Sequence, residues 1–181
     1  NQNDILHRAI SNGNYEAETV SETISPSMDI QIASNFERLI FDLNDKNSEQ
    51  TSKDMMKIKE EGKYSIDKEK LNLINQDFLS ARMSETETLD IIRSVYEEFN
   101  IVLDPHTAIG YGAFDKHDLN GNNIVLATAH PCKFPDAIQS AINIKAELPN
   151  ELQFILNEKE NYDILENNIE KVKEHIKERS K

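Results

Sequence analysis

The sequence predicts an α/β fold dominated by helices. The prediction rests on the helix–strand–helix–strand order of residues 84–128, on two short apolar runs fit for buried strands, and on clear helix caps between them. Ser84-Glu85-Thr86-Glu87 reads as a capping box, and Leu89, Ile92, Tyr96 and Phe99 then repeat at helical spacing. Ile101-Val102-Leu103 is the first apolar run. Asp104 can cap the next helix, Pro105 suits its first turn, and that helix is expected to end near His117. After the turn Leu119-Asn120-Gly121-Asn122, the run Ile124-Val125-Leu126-Ala127-Thr128 completes an expected parallel pair.

Upstream, Asp4 to Ser11 is expected to be helical with Ile5, Leu6, Ala9 and Ile10 on one side, ended by a turn at 11–14. Met28 to Ile32 alternates as a strand, so the core strands are expected at 28–32, 101–103 and 123–128. Ser34 and Glu37 form an expected capping box for a helix from Asn35 to about Leu43. Residues 44–62 are polar and helical with a C-cap at Gly62, and a short helix is expected at 67–74. With little to bury, this stretch reads as a peripheral insert. The tail carries a helix after Pro135, another near 151–157, and a last one striped by Leu165, Ile169, Val172 and Ile176.

Composition limits function. The 181 residues carry a formal charge of −13, 38% hydrophobic content and no Trp. An acidic surface repels phosphate backbones and anionic lipid, so neither nucleic acid nor membrane is an expected partner. No apolar run approaches the ~20 residues that span a bilayer. The single Cys132 excludes an intramolecular disulfide and fits a reducing, cytoplasmic setting. The five histidines show no ligand spacing, so no metal is expected. The start at Asn1-Gln2-Asn3, without methionine, suggests an excised segment.

In open α/β sheets ligands bind beyond the carboxyl ends of strands. Here those ends read Asp104-Pro105-His106-Thr107 and Thr128-Ala129-His130-Pro131-Cys132-Lys133. From spacing alone, two readings stand: a ligand site, or a plain helix cap at Asp104 and Thr107 with a turn at His130-Pro131.

Four segments resemble the threonine synthase family in its bacterial and fungal form. They are Asn1-Gln2-Asn3-Asp4-Ile5-Leu6; Ser25 to Ile30 followed by Ser34-Asn35-Phe36-Glu37-Arg38; Leu103 to Gly110; and Leu126 to Pro135. The resemblance implies a helix-rich C-terminal part of a pyridoxal 5'-phosphate (PLP) enzyme of fold type II, the tryptophan synthase β-like arrangement. It implies conversion of O-phospho-L-homoserine and water to L-threonine and phosphate. On this reading 1–43 and 84–145 belong to the PLP-binding catalytic domain, 44–83 is the helical insert and 146–181 a helical tail.

The resemblance further implies that the Thr128 hydroxyl meets the pyridine nitrogen, with Asp104 and Thr107 bordering the cofactor. Ser34, Asn35, His130, Lys133 and Arg38 are its candidates for contact with the phosphorylated amino-acid substrate. Cys132 departs from the family pattern, where a small residue such as alanine is expected, and reads as a buried substitute. The family's Schiff-base lysine and its Gly- and Asn-rich phosphate loop have no counterpart here. Ser52-Lys53-Asp54 lacks the apolar residue before the lysine and follows the signature segments instead of preceding them. A missing N-terminal part is therefore expected to supply both. Alternative readings are a non-catalytic remnant that binds a ligand or partner, and another fold type II enzyme such as a threonine dehydratase.

Overall fold

The computed structural model describes residues 1–117 and 119–180. The chain divides into two units, Asn1–Glu147 and Leu148–Lys181. The first holds α1 (Ile5–Asn12), β1 (Asn14–Glu16), α2 (Phe36–Leu43), α3 (Ser48–Glu61), β2 (Lys63–Ser65), α4 (Lys68–Asp77), α5 (Glu85–Phe99), α6 (Pro105–Asp115) and α7 (Pro135–Ile142). The second holds a 3-10 stretch at Asn150–Asn157 and α8 (Ile169–Arg179), which has no buried residue. Leu165 precedes α8 rather than lying on it.

Most helices start and stop where local chemistry directs. α1 ends at Gly13, whose φ of 79° is left-handed and whose Cα side faces the Ile66 carbonyl so closely that an added Cβ would lie 2.7 Å from it. α3 is capped by the Asn47 side chain and stops at Gly62. Ser84 and Glu87 form the expected reciprocal box at the start of α5. Glu87 is also bonded by Lys116, first, and by Ser84, which together hold its carboxyl down at about 2. At α2 the cap differs from expectation. Asn35 is the cap residue and makes no side-chain bond, because a turn from Ala33 to Phe36 (3.0 Å) already leads the chain into the helix.

The strands are where the structure departs most from the sequence reading. Among the described residues the one sheet pairs β1 with β2 antiparallel, Tyr15 opposite Tyr64. β1 overlaps the expected 11–14 turn only at Asn14 and otherwise lies where no element was expected, and β2 falls in the expected insert. Residues 26–28 form a 3-10 turn, and 101–103 and 123–128 are irregular, so the expected core strands and parallel pair are not formed. A strand exists only through backbone pairing, and no partner strand flanks these runs among the described residues.

One core gathers Ile5, Ala9, Tyr15, Phe36 and Ile40 with Ile58, Tyr64, Ile66 and Ile74. The 44–83 stretch thus supplies core side chains, contrary to the expectation that it has little to bury. Asp54 goes inside in hydrogen-bonded form: 2% exposed, it accepts from Gln50 at 2.9 Å, Asn44 at 3.1 Å and Tyr64 at 3.4 Å. Burial, followed by the Asp54 charge and bond, drives the Tyr64 phenol strongly upward. A second core joins Ile92 of α5, Ala108 of α6, and Ile138 and Ala141 of α7. α5 buries Thr88, Ile92 and Val95, whereas Phe99 of the expected stripe is 50% exposed.

Candidate functional site

The start of α6 concentrates the polar chemistry. Asp104 sits in extended geometry as N-cap, and Pro105 follows in the first turn, where its missing N–H costs nothing. The Asp104 side chain is 1% exposed. Its Oδ1 accepts from the His106 amide at 2.9 Å, the Thr107 amide at 3.4 Å and the His106 ring Nδ1 at 2.9 Å, while its Oδ2 accepts from the Thr107 hydroxyl. Every one of these contacts is accepted, the pattern of a carboxylate held by donors and the helix N-terminus in place of a basic side chain.

Thr107 passes that arrangement on. Its one hydroxyl proton goes to Asp104, and its oxygen accepts the Thr128 amide at 3.0 Å. The Thr128 hydroxyl lies 3.4 Å from the same oxygen. Thr107 is buried and Thr128 exposed. A chain of polar groups therefore runs from a buried carboxylate to a neutral hydroxyl at the surface. Asp104, Thr107 and His130 line one cleft of about 470 Å3, together with Val102, Leu103 and Ala127. Thr128 lines a second, of about 340 Å3, with His106, Phe114 and Leu126.

His106 is the member of this cluster to which the sequence reading gave no role. Its Nδ1 meets Asp104, its Nε2 accepts the Ser27 amide at 3.1 Å, and its ring packs against Phe134 with centroids 4.7 Å apart. The side chain is 8% exposed. Its place one residue after the Asp-Pro cap was the available signal.

The remaining candidates are dispersed. His130 caps the 3-10 turn Pro131–Lys133 by accepting the Cys132 amide at 3.2 Å. Cys132 is partly exposed rather than buried, because that turn lies at the surface; Lys133 is exposed and not part of the Asp104 cleft. Ser34 and Arg38 line a different cleft of about 560 Å3, shared with Glu37, Asp42 and Thr51. Asn35 lines another, beside Asn3, Ser27 and Met28. The link between that region and Asp104 is the Ser27–His106 bond. Asp4 anchors the region from the other side. Burial pushes its carboxyl up, but bonds and charge from Arg8 and Arg82 outweigh this and leave it below its usual range.

Among the described residues no group of three or more His, Cys, Asp or Glu is placed to hold a metal ion, and no helix is long and apolar enough to cross a membrane.

A family model described as threonine synthase, C-terminal, matches residues 107–176. The chain is 37% identical over 179 residues to threonine synthase of Pseudomonas aeruginosa, covering 97% of this chain and 38% of that protein. It superposes on the crystal structure of PLP-bound threonine synthase from Brucella melitensis with a TM-score of 0.87 and 38% identity, covering 98% of this chain and 38% of the other. The yeast threonine synthase crystal structure matches with a TM-score of 0.82 and 34% identity, over 98% of this chain and 40% of the other. The chain thus spans 38% to 40% of the length of these relatives.

Proposed function

Because the chain belongs to the threonine synthase family, as a C-terminal segment of it with the helix-rich architecture of that fold type II group, we propose that it forms part of an enzyme that converts O-phospho-L-homoserine and water to L-threonine and phosphate. PLP, the group named for the Brucella relative, supplies an electron sink for the carbanions of such a reaction. The whole enzyme on this reading is a carbon–oxygen lyase of threonine biosynthesis, working in the cytoplasm.

The observation that carries the reading is the Asp104–Thr107–Thr128 connection. It joins two of the segments that resemble the family, and it presents a neutral hydroxyl beside a cleft. Thr128 is the residue we assign to the ring nitrogen. A hydroxyl there can donate or accept without adding a charge, so it holds the ring without forcing a proton onto it. Asp104 keeps the Thr107 proton engaged, which leaves the Thr107 oxygen to accept the Thr128 amide and fixes the backbone there. Asp104 and Thr107 border the cofactor, and His130 faces the same cleft as a substrate contact. Ser34 and Arg38, Asn35, and the exposed Lys133 are assigned to substrate from outside the Asp104 cleft. No lysine lines the Asp104 cleft among the described residues. The anchoring lysine and the phosphate loop are assigned to polypeptide outside these 181 residues, and the segment alone is inactive on this reading.

Phosphate release from O-phospho-L-homoserine, coupled to threonine formation, is the test. The longer protein that carries these residues should turn over with PLP present, and the 181-residue chain should not. Absence of both products from the PLP-loaded longer protein overturns the reading, and activity toward threonine instead would move it to a dehydratase.

A further inference from the structure

We propose that His106 is a positioning residue, locked in its neutral Nδ1–H tautomer, which orients the Asp104 carboxylate and so orders the Thr107–Thr128 pair at the proposed cofactor face. The link to the cofactor rests on the proposed function; the ordering role does not.

Three contacts fix the ring. Nε2 lies 3.1 Å from the Ser27 amide, a donor that cannot accept, so Nε2 carries a lone pair and no proton. Nδ1 lies 2.9 Å from Asp104 Oδ1, an acceptor, so the single ring proton sits there. Phe134 covers the ring at a 55° tilt, and with 8% of the side chain exposed there is little room for an alternative orientation.

The consequence reaches beyond the histidine. A carboxylate at a helix N-cap can rotate among the amide donors of the first turn. The ring N–H pins Oδ1, which directs Oδ2 to the Thr107 hydroxyl. With that proton committed to Asp104, the hydroxyl is fixed in rotation and a lone pair of its oxygen is held toward the Thr128 amide, which donates to it at 3.0 Å. Thr128 lies in a stretch without strand pairing, so this bond is what fixes its backbone. By the Ser27 contact, the same ring ties the 26–28 turn to the site. His106 therefore acts through Asp104 rather than by touching substrate.

Two substitutions separate its two nitrogens. His106→Asn keeps an amide donor near the position of Nδ1 and loses the acceptor for Ser27. His106→Gln keeps an acceptor near Nε2 and loses the donor to Asp104. Amide hydrogen exchange in the 181-residue chain is the readout, with Ile92 in α5 as control. We expect His106→Gln to speed exchange at Thr128 by about tenfold or more, the scale of one lost bond to a charged group. His106→Asn should leave Thr128 as in the unsubstituted chain, and Ile92 should not change in either. Equal effects of the two variants at Thr128, or Thr128 and Ile92 accelerating together, would overturn the proposal.

If His106→Gln does not fold, the ring nitrogen resonances of the unsubstituted chain decide: a protonated Nδ1 upholds the assignment, and a protonated Nε2 or tautomer exchange defeats it. Equilibrium PLP binding to the longer protein separates the two readings. His106→Gln should weaken it and His106→Asn should not. If the unsubstituted longer protein binds no PLP while the exchange pattern holds, the proposed function fails and the role of His106 stands.

Discussion

Thr107 holds both ends of one polar chain: its hydroxyl donates to Asp104 and accepts the amide of Thr128 at 3.0 Å. Replacing Thr107 with Val keeps the shape and removes both bonds, leaving Asp104 Oδ2 short of a donor in a site that is 1% exposed. Urea unfolding of Thr107→Val should show a loss of about 1–3 kcal/mol. Thr107→Ser should recover most of it. Equal stability of the Val variant and the unsubstituted chain would show that the bonds contribute nothing.

The surface end of that chain gives a functional prediction. In the longer, PLP-binding protein, Thr128→Val should weaken PLP affinity by about 0.5–1.5 kcal/mol, the range for a neutral hydrogen bond. Turnover should fall further than thermal stability, since Thr128 is exposed. Full activity with unchanged cofactor affinity would remove Thr128 from the site.

The 181-residue chain mixed with PLP and reduced with borohydride should yield no stable cofactor adduct at a single lysine. The motivation is that no lysine lines the Asp104 cleft among the described residues. Mass spectrometry of a digest is the check. Stoichiometric labelling at one position, Lys53 for instance, would contradict it.

Glu87 predicts an acid-sensitive step in stability. Bonds from Lys116 and then Ser84 lower its carboxyl from 4.5 to about 2 in the folded chain. A group depressed on folding stabilises above its unfolded pKa and loses that effect as pH falls through its folded one. The contribution should therefore be intact at neutral pH and fade between pH 4.5 and about 2. Because both side chains of the Lys116–Glu87 pair are partly exposed, the effect should be small and weakened by salt. Thermal melts of Glu87→Gln across that range should show a flatter pH dependence than the unsubstituted chain.

Two glycines should respond differently to the same change. Gly62 (φ 73°) has open space where a Cβ would go, so Gly62→Ala should lose only the left-handed backbone preference, about 1–2 kcal/mol. Gly13 (φ 79°) would place that carbon against the Ile66 carbonyl, so Gly13→Ala should lose the same plus about 1–3 kcal/mol of overpacking. Chemical denaturation measures both; a Gly62 variant weaker than the Gly13 variant would refute the argument.

What the sequence disclosed depended on how far apart the interacting residues lie. The caps at Asp104-Pro105, Ser84/Glu87 and Gly62 act over a few residues, and they mark α6, α5 and the end of α3 in the linear chain. Asp104, Thr107 and Thr128 were legible as a group from motif resemblance, and the structure brings them into contact. Strands were not legible in the same way. Apolar runs at 101–103 and 123–128 satisfy strand composition, but pairing is decided by distant backbone, whereas β1 and β2 pair through Tyr15, just past the expected turn, and Tyr64, in the expected insert. The contribution of 44–83 was hidden because Asp54 enters the interior on polar partners that no hydrophobic pattern reports. His106 was hidden because one of its partners, Ser27, lies 79 residues away.

The irregular run 123–127 also has a practical side. Ile124 is 88% exposed and Leu126 75% exposed, on backbone with no strand neighbour among the described residues. Unpaired apolar backbone of this kind is a template for whatever chain arrives first, and at high concentration the most abundant arrival is another copy of the same protein. Handled as 181 residues, this polypeptide should cluster as its concentration rises, and a Lys at Ile124 or Leu126 should keep it dispersed.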